Sequence, residues 1–445
     1  MNNNVEKGEE DVPTALRMSR ILKEKVVPDL LADGTLGEGW QVDDVRNAPI
    51  GGLGQDHFAS TTLTTSVDLS RTGGEKRSVS LVSKCMVPGE TNGEFFDVDA
   101  QADNEVNMYN KVFPFFQKLA SGSEVPVGDV FPKSYWARSH WNGVISLTIM
   151  EDLREKGFRL AKERTALDRE HVVLALRAIG RMHAWSYAAK ARCRNEFLQR
   201  VVPLLRESCY NERWRVEMAP MMKRVVHRGI DLLEERLRQD GDTARLAKLR
   251  RMSDVVGDVY SVMTGASEPR EHVAVIAHGD FCRNNMQFRY GEGGRPEEVC
   301  LFDFQNSKYC SPALDLSFFL FMNTSPELRA TQWDALLQEY YNSLRSTVDR
   351  LLEGHDVHPD FVMPTLQTVR DELKSHALYG YVIVAFFLPQ MMTPPEEQLP
   401  IEEVKEMLAS NPDALLDLML QSGGKAANEV LTTVVREFVE MDLIP

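Results

Sequence analysis

The chain of 445 residues has little that would tie it to a membrane, a disulfide framework or a polyanion. Its six cysteines (Cys85, Cys193, Cys209, Cys282, Cys300 and Cys310) are scattered, with no CxxC pair and no metal-ligand spacing. That excludes a disulfide scaffold or a zinc ribbon and predicts reduced thiols in the cytoplasm. The start, MNNNVEKGEEDVPTAL, lacks the basic and then apolar leader of an exported protein. No apolar run reaches the roughly 20 residues of a membrane span. The longest, LYGYVIVAFFL at 378–388, is followed by Pro389 and reads as a buried helix or core strand. Positive charge is in deficit, 51 Lys and Arg against 66 Asp and Glu for a net charge of −15, which argues against nucleic acid or an anionic membrane surface as a partner. The oligomeric state is not encoded in any feature of this kind.

A composition that is 43% hydrophobic supports a large core, and the length suggests two lobes more readily than one. Residues 1 to about 12 are polar and expected to be disordered. From about 40 to 150 the texture is strand-like. GGLGQDHFASTTLTTSVDL, a charged RTGGEKR turn and SVSLVSKCMV read as a hairpin rolling into a sheet, and SYWARSH and GVISLTIM flank an HWNG turn. Between them VDAQADNEVNMYNKVFPFFQKL is amphipathic, with Val106, Tyr109, Val112 and Phe113 near helical spacing. After EDLREKGFRL the pattern becomes helical, at 168–190, 210–240, 326–354, 361–388 and 401–442, with a strand-like interruption at 273–304. The expected organisation is an extension and leading helix at 1–40, a β-rich lobe at 41–150 and a mainly helical lobe at 151–445.

The interruption carries the chemistry. AHGDFCRNNMQF is followed by MQFRYGEGGRPEEVCLF, two apolar strand patterns around a Gly-rich turn, and then by DFQ. In an antiparallel hairpin the start of one strand sits beside the end of the other. Asn285 just precedes the first strand and Asp303 just follows the second, so both reach one open end, with Asp280 on the loop leading in. Hard cations such as Mg²⁺ are held by one or two carboxylates or amides together with substrate phosphates. The trio therefore suits phosphoryl transfer, with Asp280 as the base for an attacking hydroxyl and Asn285 and Asp303 on the metal that holds ATP. The plainer alternative is a polar loop whose Asp and Asn cap turns.

HGD with an Asn five residues beyond its Asp, a hairpin and an Asp-Phe pair resembles the choline kinase and aminoglycoside phosphotransferase superfamily, relatives of the protein kinases. HGDFCRNNMQF, LFDFQNSKYCSPALDLSFFLF, EDLREKGF and GRMHAWSYA together resemble the ecdysteroid kinase-like, or CHK kinase-like, family over roughly 45–350. The resemblance implies an α+β bilobal protein-kinase-like fold. It implies an ATP- and Mg²⁺-dependent kinase acting on the hydroxyl of a small-molecule alcohol, a steroid such as an ecdysteroid or a xenobiotic alcohol undergoing detoxification.

The resemblance also implies roles. Lys84 in LVSKCMV would meet the nucleotide phosphates and Glu105 would pair with it; a strand-edge lysine facing water and a solvated glutamate are the competing readings. Gly52, Gly54 and Ser60 in GGLGQDHFAS would belong to a loop over the nucleotide, against the reading of an ordinary turn. Backbone groups around Glu151 and Leu153 would meet the adenine edge, whereas Glu151 and Asp152 could equally be helix-start acids. His183 reads as a core histidine, His278 as structural, Asp315 as a buttress of the catalytic loop or a helix-start carboxylate, and the cysteines nearby as packing residues. Two departures stand out: Phe281 where the family usually has tryptophan, and DFQ in place of the kinase DFG. A nucleotide-binding pseudokinase and a choline- or ethanolamine-type kinase remain alternatives; a protein kinase is disfavoured because no activation segment follows Asp303.

Overall fold

The computed structural model describes residues 14–50, 61–86, 96–399 and 401–445. The chain divides into two compact units, one of Met1–Glu94 with Phe131–Gly157 and the other of Phe95–Val130 with Phe158–Pro445. The expected disorder at the N-terminus lies outside the described residues.

The first unit is a five-stranded antiparallel sheet covered by helix. Helix α1 (Thr14–Ile21) continues through a π-turn into α2 (Val27–Ala32). Strands β1 (Trp40–Pro49), β2 (Thr61–Arg71), β3 (Lys76–Met86), β4 (Ser134–Trp141) and β5 (Val144–Glu151) follow, in the order β1-β2-β3-β5-β4. Strand β2 shows why the sheet has one dry face: Leu63, Thr65, Val67 and Leu69 are buried while the residues between them are partly exposed, the period-2 alternation of a pleated strand. Met18, Leu22, Val26 and Leu30 of the leading helix pack with Leu63, Val67, Leu81, Leu147 and Ile149. Each fully buried aliphatic side chain there contributes about 1.5–3 kcal/mol. The two anticipated hairpins are both present. β4 and β5 are joined by Asn142 and Gly143, with φ of 53° and 75°, the left-handed pair that a two-residue turn demands and that Asn-Gly accepts most readily.

The second unit is mainly helical. Helix α3 (Val98–Asn107), capped by Asp97, runs through a π-turn into α4 (Phe113–Leu119). Helices α5 (Arg169–Glu196), α6 (Ala219–Asp240), α7 (Thr243–Val256) and α8 (Val259–Ser267) precede the site, and α9 (Ala313–Asn323), α10 (Pro326–Leu352) and α11 (Leu366–Met392) follow it. Residues 95–130, which the sequence texture places with the strands, pack here. The reason is aromatic: Phe113 meets Phe304 and Trp185 with ring centroids 4.9 and 6.3 Å apart, and Phe116 meets Trp185 at 5.6 Å.

Three sequence expectations are refined. The helical stretch at 401–442 is three helices, α12 (Ile401–Ser410), α13 (Pro412–Gln421) and α14 (Gly424–Glu440), interrupted where Asn411 caps ahead of Pro412 and where Gly423 turns left-handed. The apolar run at 378–388 is helical, and Pro389 lies inside the last turn of α11 rather than ending it, since the helix continues to Met392. Two short strands, β6 (Phe158–Arg159) and β10 (Lys308–Cys310), are too brief to carry a periodic signal. No helix among the described residues is long and apolar enough to cross a membrane.

Candidate active site

Strands β7 (Val275–Ala277), β8 (Met286–Tyr290) and β9 (Pro296–Leu301) form the expected interruption; β8 pairs with β9 and β6, and β7 with β10. The hairpin register runs from Met286 opposite Leu301, and the pairing goes one step further: Phe302 N–H donates to Asn285 O at 3.0 Å. Asp303 is therefore the residue immediately past the pair that Asn285 opens. On the other side Asn285 Nδ2 donates to the backbone carbonyl of Asp280 at 2.9 Å. Asp280, Asn285 and Asp303 are brought to the same end of the hairpin. The Asn285 nitrogen is thereby tied to Asp280, which leaves Oδ1 as the atom of this amide that could accept or ligate.

The loop that carries Asp280 is held from beneath by Asp315, in the first turn of α9. Asp315 Oδ2 accepts from His278 N–H at 2.7 Å and Oδ1 from Gly279 N–H at 2.9 Å. His183 Nε2 reaches the same carboxylate at 3.1 Å, and its Nδ1 meets the Tyr340 hydroxyl at 2.9 Å. His183 and Asp315 are both fully buried. Burial by itself raises the Asp315 pKa, but the hydrogen bond and charge of His183, the charge of His278 and the backbone donor outweigh it and hold the carboxyl below its ordinary value. The helix-start reading of Asp315 is therefore replaced by a buttress role, and His183 is the core histidine expected.

His278 is committed on both ring nitrogens. Nε2 lies 3.0 Å from Phe302 O, and Nδ1 faces Asp280 N–H at 3.4 Å, so the imidazole joins the Asp280 loop to the strand end before Asp303. Its ring also packs on Phe304 at 4.8 Å. Phe281 is fully buried against Phe319 at 4.7 Å, so phenylalanine fills this anchor position without the larger indole. Asp280 and Asp303 remain partly accessible. Asp303 is left-handed, with φ 68° and ψ 65°, a conformation that costs a non-glycine residue about 1–3 kcal/mol and collects at functional sites.

The neighbouring thiols sit where the thiolate form is disfavoured. Burial, and then the charge of Asp280, push Cys282 well above its usual value, and burial raises Cys209 to about 11 and Cys310 well up. Cys300 and Cys310 are buried packing residues, as expected, and Cys282 is partly exposed.

The remaining sequence-predicted positions are placed as follows. Lys84 lies on β3, a central strand, opposite Thr148 and Thr62, and is buried; the water-facing reading does not hold. Glu105 on α3 is only 1% exposed, so it is not a solvated helix-face acid. Glu151 ends β5, and its N–H donates to Lys133 O at 2.9 Å, which commits that donor within the sheet. Its carboxylate accepts from Lys133 N–H at 2.8 Å. Asp152 is the helix-start acid: it accepts from Arg154 N–H at 3.1 Å and is bound by Ser80 and the Arg154 guanidinium. Leu153 is buried in the turn that follows. Gly52, Gly54 and Ser60 lie outside the described residues.

Sequence reasoning missed the framework around Asp303. Asn306 Oδ1 accepts from Gln101 Nε2, Ser208 Oγ and Cys209 Sγ at 3.0, 3.1 and 3.3 Å, and Lys308 is ion-paired with Glu207 at 2.7 Å. These partners stand about 100 to 200 residues apart in the chain, and no spacing links them.

Asn285 and Asp303 supply an amide and a carboxylate oxygen, the hard donors that Mg²⁺ prefers. Among the described residues no three His, Cys, Asp or Glu side chains form a metal cage. Two such side chains would hold a cation only together with phosphate and water, the way Mg²⁺ is held in phosphoryl transfer.

An aminoglycoside phosphotransferase, so assigned, from Ralstonia eutropha is 13% identical, with 89% of this chain and 93% of that one covered at a TM-score of 0.38. The GDP and kanamycin complex of APH(2")-IIia is 10% identical, with 96% and 98% covered at 0.34. No curated protein sequence matches. The model of the Ecdysteroid kinase-like family matches residues 54–353, two thirds of the chain and all of the hairpin site. The chain belongs to the ecdysteroid kinase-like family, with that family's α+β kinase-like architecture of a β-sheet unit and a mainly helical unit.

Proposed function

We propose that this protein is an ATP- and Mg²⁺-dependent kinase that phosphorylates a hydroxyl of a small molecule, a steroid alcohol of the ecdysteroid type or a xenobiotic alcohol. Family membership supports a kinase-like phosphotransferase, and the further detail is the reading offered here. One observation carries it: Asn285 is bonded on one side to the carbonyl of Asp280 and on the other to the strand end that delivers Asp303. A base and two hard oxygen ligands at one accessible end are what transfer to an alcohol requires.

In this reading the Asp280 carboxylate orients the acceptor hydroxyl and accepts its proton. The hydroxyl oxygen bonds to the γ-phosphorus as the bond to the bridging oxygen breaks, and ADP leaves. Asn285 and Asp303 would hold Mg²⁺, which when bound would neutralise charge on the phosphates. Neither nitrogen of His278 is the base, because one is occupied by Phe302 O and the other faces the Asp280 backbone. Lys84 and Glu105 enter the proposal in the roles that the family resemblance implies, and both are buried as such charges are when they serve a site. With the Glu151 N–H committed to Lys133, the adenine-edge donor of this stretch is assigned to Leu153. A cytoplasmic location is part of the proposal, in keeping with six cysteines that form no disulfide.

The test is detection by mass spectrometry of phosphate transfer from Mg-ATP to a panel of steroids, plant alcohols, sugars and choline-like amines, with Asp280→Asn alongside. Product from a steroid or foreign alcohol with the wild type and none with the variant supports the reading. Product from choline alone would move the substrate class, and turnover retained in Asp280→Asn would remove the base.

A further inference from the structure

Asp303 carries a left-handed backbone, and such strain persists only where the surroundings impose it. Three residues downstream lies a hydrogen-bonded lock. Asn306 Oδ1 gathers three donors from two distant segments: Gln101 Nε2 on α3 at 3.0 Å, and Ser208 Oγ and Cys209 Sγ at 3.1 and 3.3 Å. The carbonyl of Gln305 accepts from Asn104 Nδ2 at 3.3 Å. The segment 204–208 is itself strapped along α3. Asn107 Nδ2 donates to Leu204 O, Asn104 exchanges two 2.8 Å hydrogen bonds with Arg206, and Asp97 N–H donates to Ser208 O. Helix α3, which carries Glu105, and the loop after Asp303 are thus one hydrogen-bonded body, joined at Asn306.

We infer that Asn306 is a positioning residue for metal binding, fixing the left-handed turn that presents the Asp303 carboxylate through the acceptor oxygen shared by Gln101, Ser208 and Cys209. It touches neither metal nor substrate. In the protein kinases the corresponding loop has a glycine after its Asp-Phe pair; here Gln305 follows, and the lock replaces a hinge with a brace. The inference rests on the reading of Asp303 as a Mg²⁺ ligand.

The experiment uses the full chain and two readouts other than turnover. The first is the Mg²⁺ concentration that half-saturates thermal stabilisation at fixed ATP. The second is hydrogen exchange at the amides of residues 303–307 with neither metal nor nucleotide present. Asn306→Ala removes the shared acceptor, and Gln101→Ala cuts one donor from another element and serves if the first variant folds poorly. The Mg²⁺ midpoint is expected to rise about tenfold in Asn306→Ala, the lower end of what loss of an outer-sphere partner costs a metal site. Gln101→Ala raises it less, exchange at 303–307 accelerates in both, and Asn306→Asp, which keeps an acceptor for all three donors, stays near wild type. A lowered melting temperature with the midpoint and exchange unchanged, while Asp303→Asn shifts the midpoint, would reduce Asn306 to ordinary packing and overturn the inference. If Asp303→Asn leaves the midpoint where it was, the underlying reading of Asp303 falls and the inference with it.

Discussion

Gly279 and Asn306 meet backbone to backbone: a β-carbon on Gly279 would stand 1.9 Å from the Asn306 carbonyl oxygen. The loop leading to Asp280 and the loop following Asp303 are keyed together at this point, and Gly279 also has φ of 83°, a conformation that L side chains rarely adopt. The contact limits how far apart Asp280 and Asp303 can stand.

Gly279→Ala is accordingly expected to be among the most damaging single-methyl substitutions in the chain. It adds left-handed strain of about 1–2 kcal/mol to a backbone clash that only loop movement can relieve. Urea unfolding should show a loss of at least about 2 kcal/mol together with loss of turnover. A variant of wild-type stability and activity would mean that the two loops are not keyed here.

Asp280→Asn should leave the fold and Mg-ATP-dependent thermal stabilisation in place and lower turnover by roughly 10²–10⁴, the usual contribution of a general base. The amide keeps the size of the side chain, and the backbone carbonyl that Asn285 binds is untouched. Thermal shift and product formation are measured on the same preparation. Loss of the nucleotide shift with loss of turnover would reassign Asp280 from base to binding.

The left-handed backbone at Asp303 separates stability from function. Asp303→Gly removes both the carboxylate and the strain, whereas Asp303→Ala removes only the carboxylate. Both variants should lose Mg²⁺-dependent stabilisation by ATP, and the glycine variant should be the more stable by about 1 kcal/mol. Equal stability in denaturant titrations would indicate that the turn is not strained in solution.

Asp315 predicts an acid limb in stability. Its carboxyl is held below the ordinary value of about 3.9. A depressed folded pKa gives stability that is fully present above the unfolded value and lost as pH falls through the folded one. Asp315→Asn leaves a backbone donor or His183 without its acceptor and should cost roughly 3–5 kcal/mol near neutrality. The gap between variant and wild type should close progressively below about pH 4. Melting curves between pH 3 and 7 check this, and a gap independent of pH would remove Asp315 as the titrating group.

The hairpin site was largely legible because its parts are local. Asp280, Asn285, the two strand patterns and Asp303 occupy 24 consecutive positions of the chain, and antiparallel pairing alone brings the ends of such a segment together. Asp315 was legible only through the family resemblance, since a carboxylate near a helix start has a plain explanation of its own, whereas His183 read as a core histidine from its helical spacing to Ile179 and Tyr187. The braces at Asn306 and Lys308 were not legible at all, because Gln101, Ser208 and Glu207 are joined to them by packing and not by spacing.

Local signals specified the strand and helix textures, the Asn-Gly turn, the hairpin and the set of residues at its open end, because propensity, periodicity and antiparallel register act over short separations. Long-range packing set the left-handed backbone of Asp303, the turn of the Asp315 carboxylate to the His278 and Gly279 amides, and the joining of α3 to the loop after Asp303. Those outcomes depend on which distant donors and acceptors are buried together, where most polar groups find a partner among the neighbours that the fold supplies.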